Sequence, residues 1–485
     1  MRVSWEVDPP SALYWKNEFF LEFPASVDVS RVPDRVWGLI AILCLHPHWV
    51  LLRPCRVELP FRLDPGEREL WYRLLDAGVT TLAVHAGRTD FDRDIEIHDS
   101  GEAFPSPPPL ATTGRCATAF SGGKDSLLQT GLLTELTHRP LLVSTTSPLP
   151  PREDHLTERR RYVFDAVAKR RDVTFIEVQS DFRAVVDYDF AHAVAGYATS
   201  ATELTDTFLF FGCLFAASLA NGVTHLFQAS EAEVQESVER DGRIVQHRHF
   251  MYSAVTQRAL SSLIAPYGMR VCSLTSPLYA SQVHRLLWTR YRDLRDLQYS
   301  CWMVRIGEDT CSQCRACLEY VFAVLALGDR PSRMGLELGK AVREVRDWAP
   351  RAIDPANLAP TPTQLASQRS SGHHLTNVRA ASMASFLWAM LRDHPRELFS
   401  PAGRESIRCF RALKRRLDPL APLSRPGYRP GFLEFVDPLL RDRVGTIYAH
   451  HFTAEPEGQY ADLLSRSRSL AAWICEPLLG TTPPP

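Results

Sequence analysis

The stretch Cys116–Leu133 reads CATAFSGGKDSLLQTGLL, and it determines how the rest of the chain is interpreted. Its opening residues are small and apolar, as in a buried strand, and the residues after Lys124 have the apolar spacing of a helix. Gly122 and Gly123 lie between the two, and glycine lets a backbone turn tightly and approach a ligand closely. The stretch therefore predicts a strand, a glycine turn and a helix whose first N–H groups bind an anion.

Further strands and helices alternate downstream of this unit. Apolar runs predict strands at 115–120, 140–146, 173–179, 224–230 and 269–275, and helical patterns lie near 124–137, 156–170, 204–220 and 252–265. Such alternation is typical of an α/β fold with a doubly wound, Rossmann-like parallel sheet. Ligands of these sheets bind at the carboxyl ends of the strands, where the glycine turn lies.

The pattern of apolar, polar and proline residues divides the chain into three regions. Residues 1–112 predict a small α+β domain of unassigned role, which ends in a proline-rich linker. Residues 113–328 form the α/β domain, and residues 329–485 predict a helix-rich C-terminal region. We expect two or three domains from a chain of 485 residues.

Composition favours a cytoplasmic protein. The formal net charge of -1 gives no attraction to nucleic acid or to a membrane surface. The start of the chain lacks the apolar core of a signal peptide. The longest apolar run, Thr207–Ala220, is too short to span a bilayer and predicts a buried helix.

The residues of the glycine turn point to phosphate chemistry. Ser121 and Ser126 add hydroxyl donors, and Lys124 adds a positive charge. A carboxylate at Asp125 is unexpected in a site for anions alone, and it suits a magnesium ion or an orienting role. The spacing matches neither the Walker pattern nor the dinucleotide-binding pattern.

SGGKDS resembles the S-G-G-x-D-S loop of the PP-loop, or N-type, ATP pyrophosphatases. This resemblance implies that ATP is cleaved between its α and β phosphates, with an AMP group left on the substrate. It implies catalytic roles for Lys124, Asp125 and Ser126, with magnesium at Asp125. The implied nucleotide-binding residues are Phe120, Ser121, Gly122, Gly123, Lys124, Asp125, Ser126, Ser144, Thr145, Gln228 and Ser230.

Four cysteines form a second motif. Cys301, Cys311, Cys314 and Cys317 follow the pattern C-x9-C-x2-C-x2-C. Four thiolates suit a tetrahedral zinc ion, and four protein ligands favour a structural site. An iron–sulfur cluster, or no metal at all, remains an alternative.

The two motifs together resemble the 7-cyano-7-deazaguanine synthase family over residues 113–328. That family joins a carboxylate and ammonia at the expense of ATP, with zinc on its four cysteines. The chain departs from it at Asp206–Thr207, where the family has an Arg-Asn pair, and at Gln282 or His284, where it has a lysine. With its extra flanking regions, the chain looks most like family variants found in bacterial antiviral-defence operons.

We therefore expect a ligase that adenylates a deazaguanine-type carboxylate and forms an amide or nitrile with an amine. A partner protein is a candidate acceptor of the substrate group, and a homodimer is a candidate assembly of the chain. The alternatives are a PP-loop tRNA sulfur-transferase and a non-catalytic nucleotide-binding scaffold of a defence complex. Candidates for the substrate side are Glu231, Glu233, Glu236, His247 and His249.

Overall fold

The computed structural model of the chain covers most of its first 341 residues and one later segment. It describes residues 1–85, 92–101, 108–111, 113–146, 154–195, 206–235, 237–240, 243–246, 250–298, 310–312, 315–341 and 427–455, with single positions at 343, 411, 414, 415 and 418.

Eleven strands lie within this described part, and seven of them form the central sheet. They are β1 (Arg2–Ser4), β2 (Glu18–Glu22), β3 (Cys55–Leu59), β4 (Ile95–Asp99), β5 (Cys116–Ala119), β6 (Leu141–Thr146), β7 (Thr174–Ser180), β8 (His225–Phe227), β9 (Ser237–Arg240), β10 (Arg243–Gln246) and β11 (Arg270–Cys272). The central order is β1-β2-β7-β6-β5-β8-β11, while β3 pairs with β4 and β9 with β10.

Twelve α-helices lie within the same described part. They are α1 (Asp34–Leu52), α2 (Pro65–His85), α3 (Lys124–Leu136), α4 (Asp154–Ala168), α5 (Tyr188–Ala195), α6 (Thr207–Ala220), α7 (Ala232–Gln235), α8 (Ala254–Ile264), α9 (Ala280–Thr289), α10 (Arg292–Arg295), α11 (Arg315–Ala326) and α12 (Arg441–His451).

Five neighbouring strands of the sheet, in the order β7-β6-β5-β8-β11, are mutually parallel, and β5 lies in the middle. β6 and β7 extend the sheet on one side of β5, and β8 and β11 extend it on the other. Helices α3 and α4 pack on one face, and α6 and α8 pack on the other. The predicted mixed α/β architecture with a mostly parallel sheet is thus confirmed. The loop after β5 lies where the strand order reverses, which is the usual ligand position in such sheets.

The N-terminal strands β1 and β2 belong to this sheet, and helices α1 and α2 contribute to its core. β2 pairs antiparallel with β7, so β1 and β2 extend the central sheet. Helix α1 packs closely on α6, where a Cβ on Gly212 would come within 2.9 Å of Ile40. The predicted domain boundary at residue 112 stays a prediction about independent folding.

Helix α1 is the one described helix that is long and apolar enough to cross a membrane. In this fold, 78% of its most apolar window is buried within the protein. Its leucines and isoleucines belong to the core beneath the sheet. The helix is therefore accounted for as a core element.

The segment 427–455 returns to the face of the sheet that carries α3. Tyr428, Val436, Leu440, Val444 and Tyr448 join the same apolar cluster as the buried side of α3. The backbone N–H of Ser273 donates to the carbonyl of Phe435 at 2.8 Å. This part of the predicted C-terminal region therefore packs onto the α/β core.

His46 makes the stability of this core depend on pH. Its imidazole is 1% exposed on α1, and burial lowers its pKa to about 4. Between that value and the pKa of about 6.5 in an unfolded chain, only the unfolded state binds the proton. The free energy of unfolding should therefore fall by about 3 kcal/mol as pH drops through this window.

Urea unfolding of the wild type and of His46→Gln at several pH values measures this contribution. In His46→Gln, the free energy of unfolding should no longer show this fall as the pH drops. The control His98→Gln, which replaces an exposed histidine, should show the same fall as the wild type. Equal slopes for wild type and His46→Gln would contradict the assignment.

Candidate functional site

The glycine turn sits against the end of β6. The N–H of Phe120 donates to the carbonyl of Val143 at 2.8 Å, which extends the pairing of β5 by one residue. Gly122 then adopts a φ of 77°, a left-handed conformation that favours glycine. A Cβ at this position would also come within 3.4 Å of Val163 on α4. The left-handed φ explains why the turn needs glycine here, since the Val163 distance is only that of ordinary van der Waals contact.

The first turn of α3 opens directly from this loop. Gly123 precedes the helix, and no side chain caps it. The hydroxyl of Ser126 donates to the carbonyl of Gly123 at 3.0 Å and lies 3.4 Å from the hydroxyl of Ser121. Helix N–H groups and two hydroxyls thus face the end of the sheet, an arrangement suited to phosphate oxygens.

A buried lysine between two carboxylates lies at the centre of the site. Lys124 Nζ lies 3.0 and 2.9 Å from the carboxylate oxygens of Asp125 and also donates to Glu231. The side chains of Lys124 and Glu231 are 7% and 3% exposed. The loop after β5 is therefore joined to the segment after β8 by a buried ion pair. The sequence analysis named Glu231 as a candidate for the substrate side. In the structure, its carboxylate forms an ion pair with Lys124 of the loop.

The carboxyl of Asp125 is electrostatically perturbed. Burial and the nearby carboxylate of Glu231, opposed in part by Lys124, together raise its pKa to about 7. Two close carboxylates next to one ammonium leave excess negative charge at the loop. A hard divalent cation that prefers oxygen ligands fits this charge, so the residues present suit magnesium.

The polar residues at the ends of the neighbouring strands divide into two groups. Ser144 and Gln228 are buried, yet Ser144 Oγ and Gln228 Oε1 have no hydrogen-bond partner among the described residues. Thr145 is used within the fold: its side chain bonds to the Cys213 thiol. Its carbonyl accepts from Arg160 at 2.6 Å. Of the two predicted adenosine contacts, Ser144 is thus the better placed for a ligand.

Ser230 is the centre of a buried hydrogen-bond network. Its N–H donates to Thr275 Oγ1 at 2.9 Å, and its hydroxyl accepts from Gln235 and from Gln257, the latter at 2.7 Å. The predicted phosphate contact of Ser230 would require this network to rearrange. Ser230 therefore serves to hold the segment that carries Glu231.

His284, on α9, is near enough to the central ion pair for its charges to influence the pKa of the imidazole. Its side chain is fully buried, and Nε2 lies 3.8 Å from Glu319 on α11. Burial lowers the pKa of the imidazole, Glu319 and Glu231 oppose this shift, and Lys124 adds to it. The sequence offered His284 as one of two replacements for the family's lysine, and the structure brings it to the site.

Asp206 also has a defined partner. It lies at the start of α6 and is 1% exposed. Both of its carboxylate oxygens accept hydrogen bonds from the guanidinium of Arg183. An arginine from another segment thus lies at the start of α6. A comparison of position 206 alone with the family's pattern does not reveal this arginine.

Two of the four motif cysteines are described. The sulfurs of Cys311 and Cys317 lie 3.7 Å apart. A tetrahedral zinc ion with Zn–S bonds of about 2.3 Å would place its sulfurs about 3.8 Å apart, so this pair fits one. The described part of the chain holds no group of three or more His, Cys, Asp or Glu side chains suited to a metal.

Several sequence-predicted residues lie outside the described part. These are Cys301, Cys314, Glu236, His247 and His249. Glu233 falls within α7, but only its backbone is described. The four-cysteine metal site therefore stays a prediction, supported by one sulfur pair.

Comparison with known proteins adds no relative. No family model, no curated protein and no solved structure matches this chain. The site is therefore interpreted from its own residues.

Replacing Glu231 with Gln tests the electrostatics of the loop. Removal of the neighbouring negative charge, together with a closer hold of Lys124 on Asp125, should lower the pKa of Asp125 below its value of about 7. Carboxyl-carbon NMR titration without added metal or nucleotide measures this shift. Glu135→Gln, at the far end of α3, is the matched control and should leave that pKa unchanged; no shift in Glu231→Gln would contradict the assignment.

Metal content tests the cysteine site. The wild type should retain about one zinc per chain after dialysis, as a closed four-thiolate site requires. Cys311→Ser and Cys317→Ser should each lose most of it, and Cys116→Ser, a buried thiol on β5, should keep it. Elemental analysis measures all four proteins, and a zinc-free wild type would rule out the site.

Proposed function

We propose that the chain is an ATP-dependent ligase of the PP-loop type, which adenylates a substrate carboxylate and joins it to an amine. The observation that carries this proposal is the loop at the switch point of the sheet. There a left-handed glycine, a helix start without a side-chain cap and two hydroxyls surround the Lys124–Asp125 pair. The finer fold assignment, that of the adenine nucleotide α-hydrolases, belongs to the same proposal.

The loop supplies binding and charge rather than a strong base. The N–H groups of α3 and the hydroxyls of Ser121 and Ser126 bind the pyrophosphate part of ATP. Lys124 balances the charge that develops on this leaving group, which is electrostatic stabilisation of the transition state. Asp125, with Glu231 beside it, would hold magnesium, which neutralises phosphate charge when bound.

The neighbouring strand ends serve the rest of the nucleotide and the substrate. Ser144 Oγ and Gln228 Oε1 are buried polar atoms that a polar ligand would satisfy. A carboxylate bound here attacks the α phosphate, and a nitrogen nucleophile then displaces AMP. A zinc ion at the four cysteines would be structural and would fix the start of α11.

The resemblance of the two motifs supports a deazaguanine-type carboxylate as substrate, with ammonia or an amine of a partner protein as nucleophile. Sulfur transfer is less well supported, because it requires reactive thiolates. Burial instead raises the pKa of Cys116 and of Cys213 to about 12. These two described thiols, at the start of β5 and within α6, are therefore unreactive.

Carboxylate-dependent exchange of labelled pyrophosphate into ATP tests the proposal. With 7-deazaguanine-7-carboxylate and magnesium, the wild type should catalyse exchange, and Asp125→Ala should lower its rate by about 100-fold while ATP binding survives. Asp189→Ala, an exposed acid on α5, is the control. Absence of exchange by the wild type would contradict the proposal.

A further inference from the structure

Tyr448, on α12, is a buried tyrosine that contacts the loop after β11. Its side chain is fully buried, and its hydroxyl donates a hydrogen bond to the carbonyl of Leu274. Burial raises the pKa of the phenol well above its usual range, so the hydroxyl stays protonated as a donor at neutral pH. The N–H of Leu274 in turn donates to Gln129 on α3 at 3.1 Å. The Leu274 backbone is thus bonded both to the segment 427–455 and to the helix that follows the glycine loop.

Backbone hydrogen bonds also join the segment 427–455 to the loop after β11. The N–H of Ser273 donates to the carbonyl of Phe435 at 2.8 Å. The N–H of Arg429 donates to the carbonyl of Pro277, also at 2.8 Å. The segment therefore binds this loop along its length, and the hydroxyl on α12 adds a side-chain contact.

The same loop holds both chain neighbours of Glu231. Thr275 Oγ1 accepts from the N–H of Ser230 at 2.9 Å and donates to the carbonyl of Ser230 at 3.1 Å. The carbonyl of Leu278 accepts from the N–H of Ala232 at 2.8 Å. Because Glu231 lies between these two residues in the chain, the loop after β11 sets the position of its backbone. Its carboxylate then forms the central ion pair with the lysine of the glycine loop.

We propose that Tyr448 is a positioning residue for the phosphate-binding loop. Its hydroxyl fixes the loop after β11, that loop fixes the backbone around Glu231, and Glu231 fixes Lys124. The inference rests on the proposed function for what the glycine loop binds, whereas the hydrogen bonds themselves are independent of it. A buried carbonyl that loses its donor is costly, so Tyr448→Phe should favour local opening of the loop after β11.

Amide hydrogen exchange measures this contact without reference to activity. In Tyr448→Phe, the amides of Ser230 and Ala232 should exchange about tenfold faster, which is the effect of losing one hydrogen bond of ordinary strength. Tyr428→Phe is the matched control, because this tyrosine of the same segment is held through its backbone, whose N–H donates to Thr453 at 2.9 Å. It should leave the exchange rates of both amides unchanged.

Pyrophosphate exchange with 7-deazaguanine-7-carboxylate tests the effect on the site. Tyr448→Phe should lower its rate about tenfold when Glu231 is present, because the position of Lys124 then depends on this contact. In the Glu231→Gln background the same change should lower the rate less than about twofold, since residues of one network do not act additively. The stability control is Val79→Ala, which truncates a fully buried side chain on α2. It should lower the melting temperature and leave the pyrophosphate exchange rate unchanged.

The outcomes distinguish the inference from the function on which it rests. If the wild type catalyses no pyrophosphate exchange, the ligase proposal fails, and faster exchange of the two amides in Tyr448→Phe still supports the positioning contact. Unchanged amide exchange in that variant would overturn the inference whatever the activity. Equal losses of rate in the wild-type and Glu231→Gln backgrounds would also overturn it, because Tyr448 would then not act through Glu231.

Discussion

The ion pair between Lys124 and Glu231 is the constraint on which the site depends. It joins the loop after β5 to the segment after β8, the two neighbouring strands between which the strand order of the sheet reverses. A buried lysine is costly unless it is paired, so both segments must be in place for either to be stable. The phosphate-binding loop is therefore held in position by a residue more than one hundred positions away in sequence.

The same pair organises the groups around it. Asp125 shares Lys124, and its carboxyl is kept partly protonated near neutral pH because it is buried and because Glu231 lies close by. The charges of the pair also influence the pKa of His284, whose Nε2 lies 3.8 Å from Glu319 on α11, the helix on which Cys317 lies. A metal at the cysteines would thus fix the helix that carries Glu319.

The sequence predicted the parallel strands well, because each is a short apolar run followed by a helical pattern. The loop at Gly122 was predictable for the same reason, since local residues alone require it. The pairing of β2 with β7 was not predictable, because it depends on two segments more than 150 residues apart. Glu231 and His284 could be named as polar residues near the site, but their contacts depend on how α9 and α11 pack.

The central claim is that a carboxylate oxygen attacks the α phosphate of ATP at this loop. The most direct measurement uses 7-deazaguanine-7-carboxylate labelled with ¹⁸O in its carboxylate, with ATP, magnesium and ammonia. Mass spectrometry of the nucleotide product should show AMP that carries one ¹⁸O atom from the substrate. Unlabelled AMP, or ADP and phosphate in place of AMP and pyrophosphate, would contradict the account.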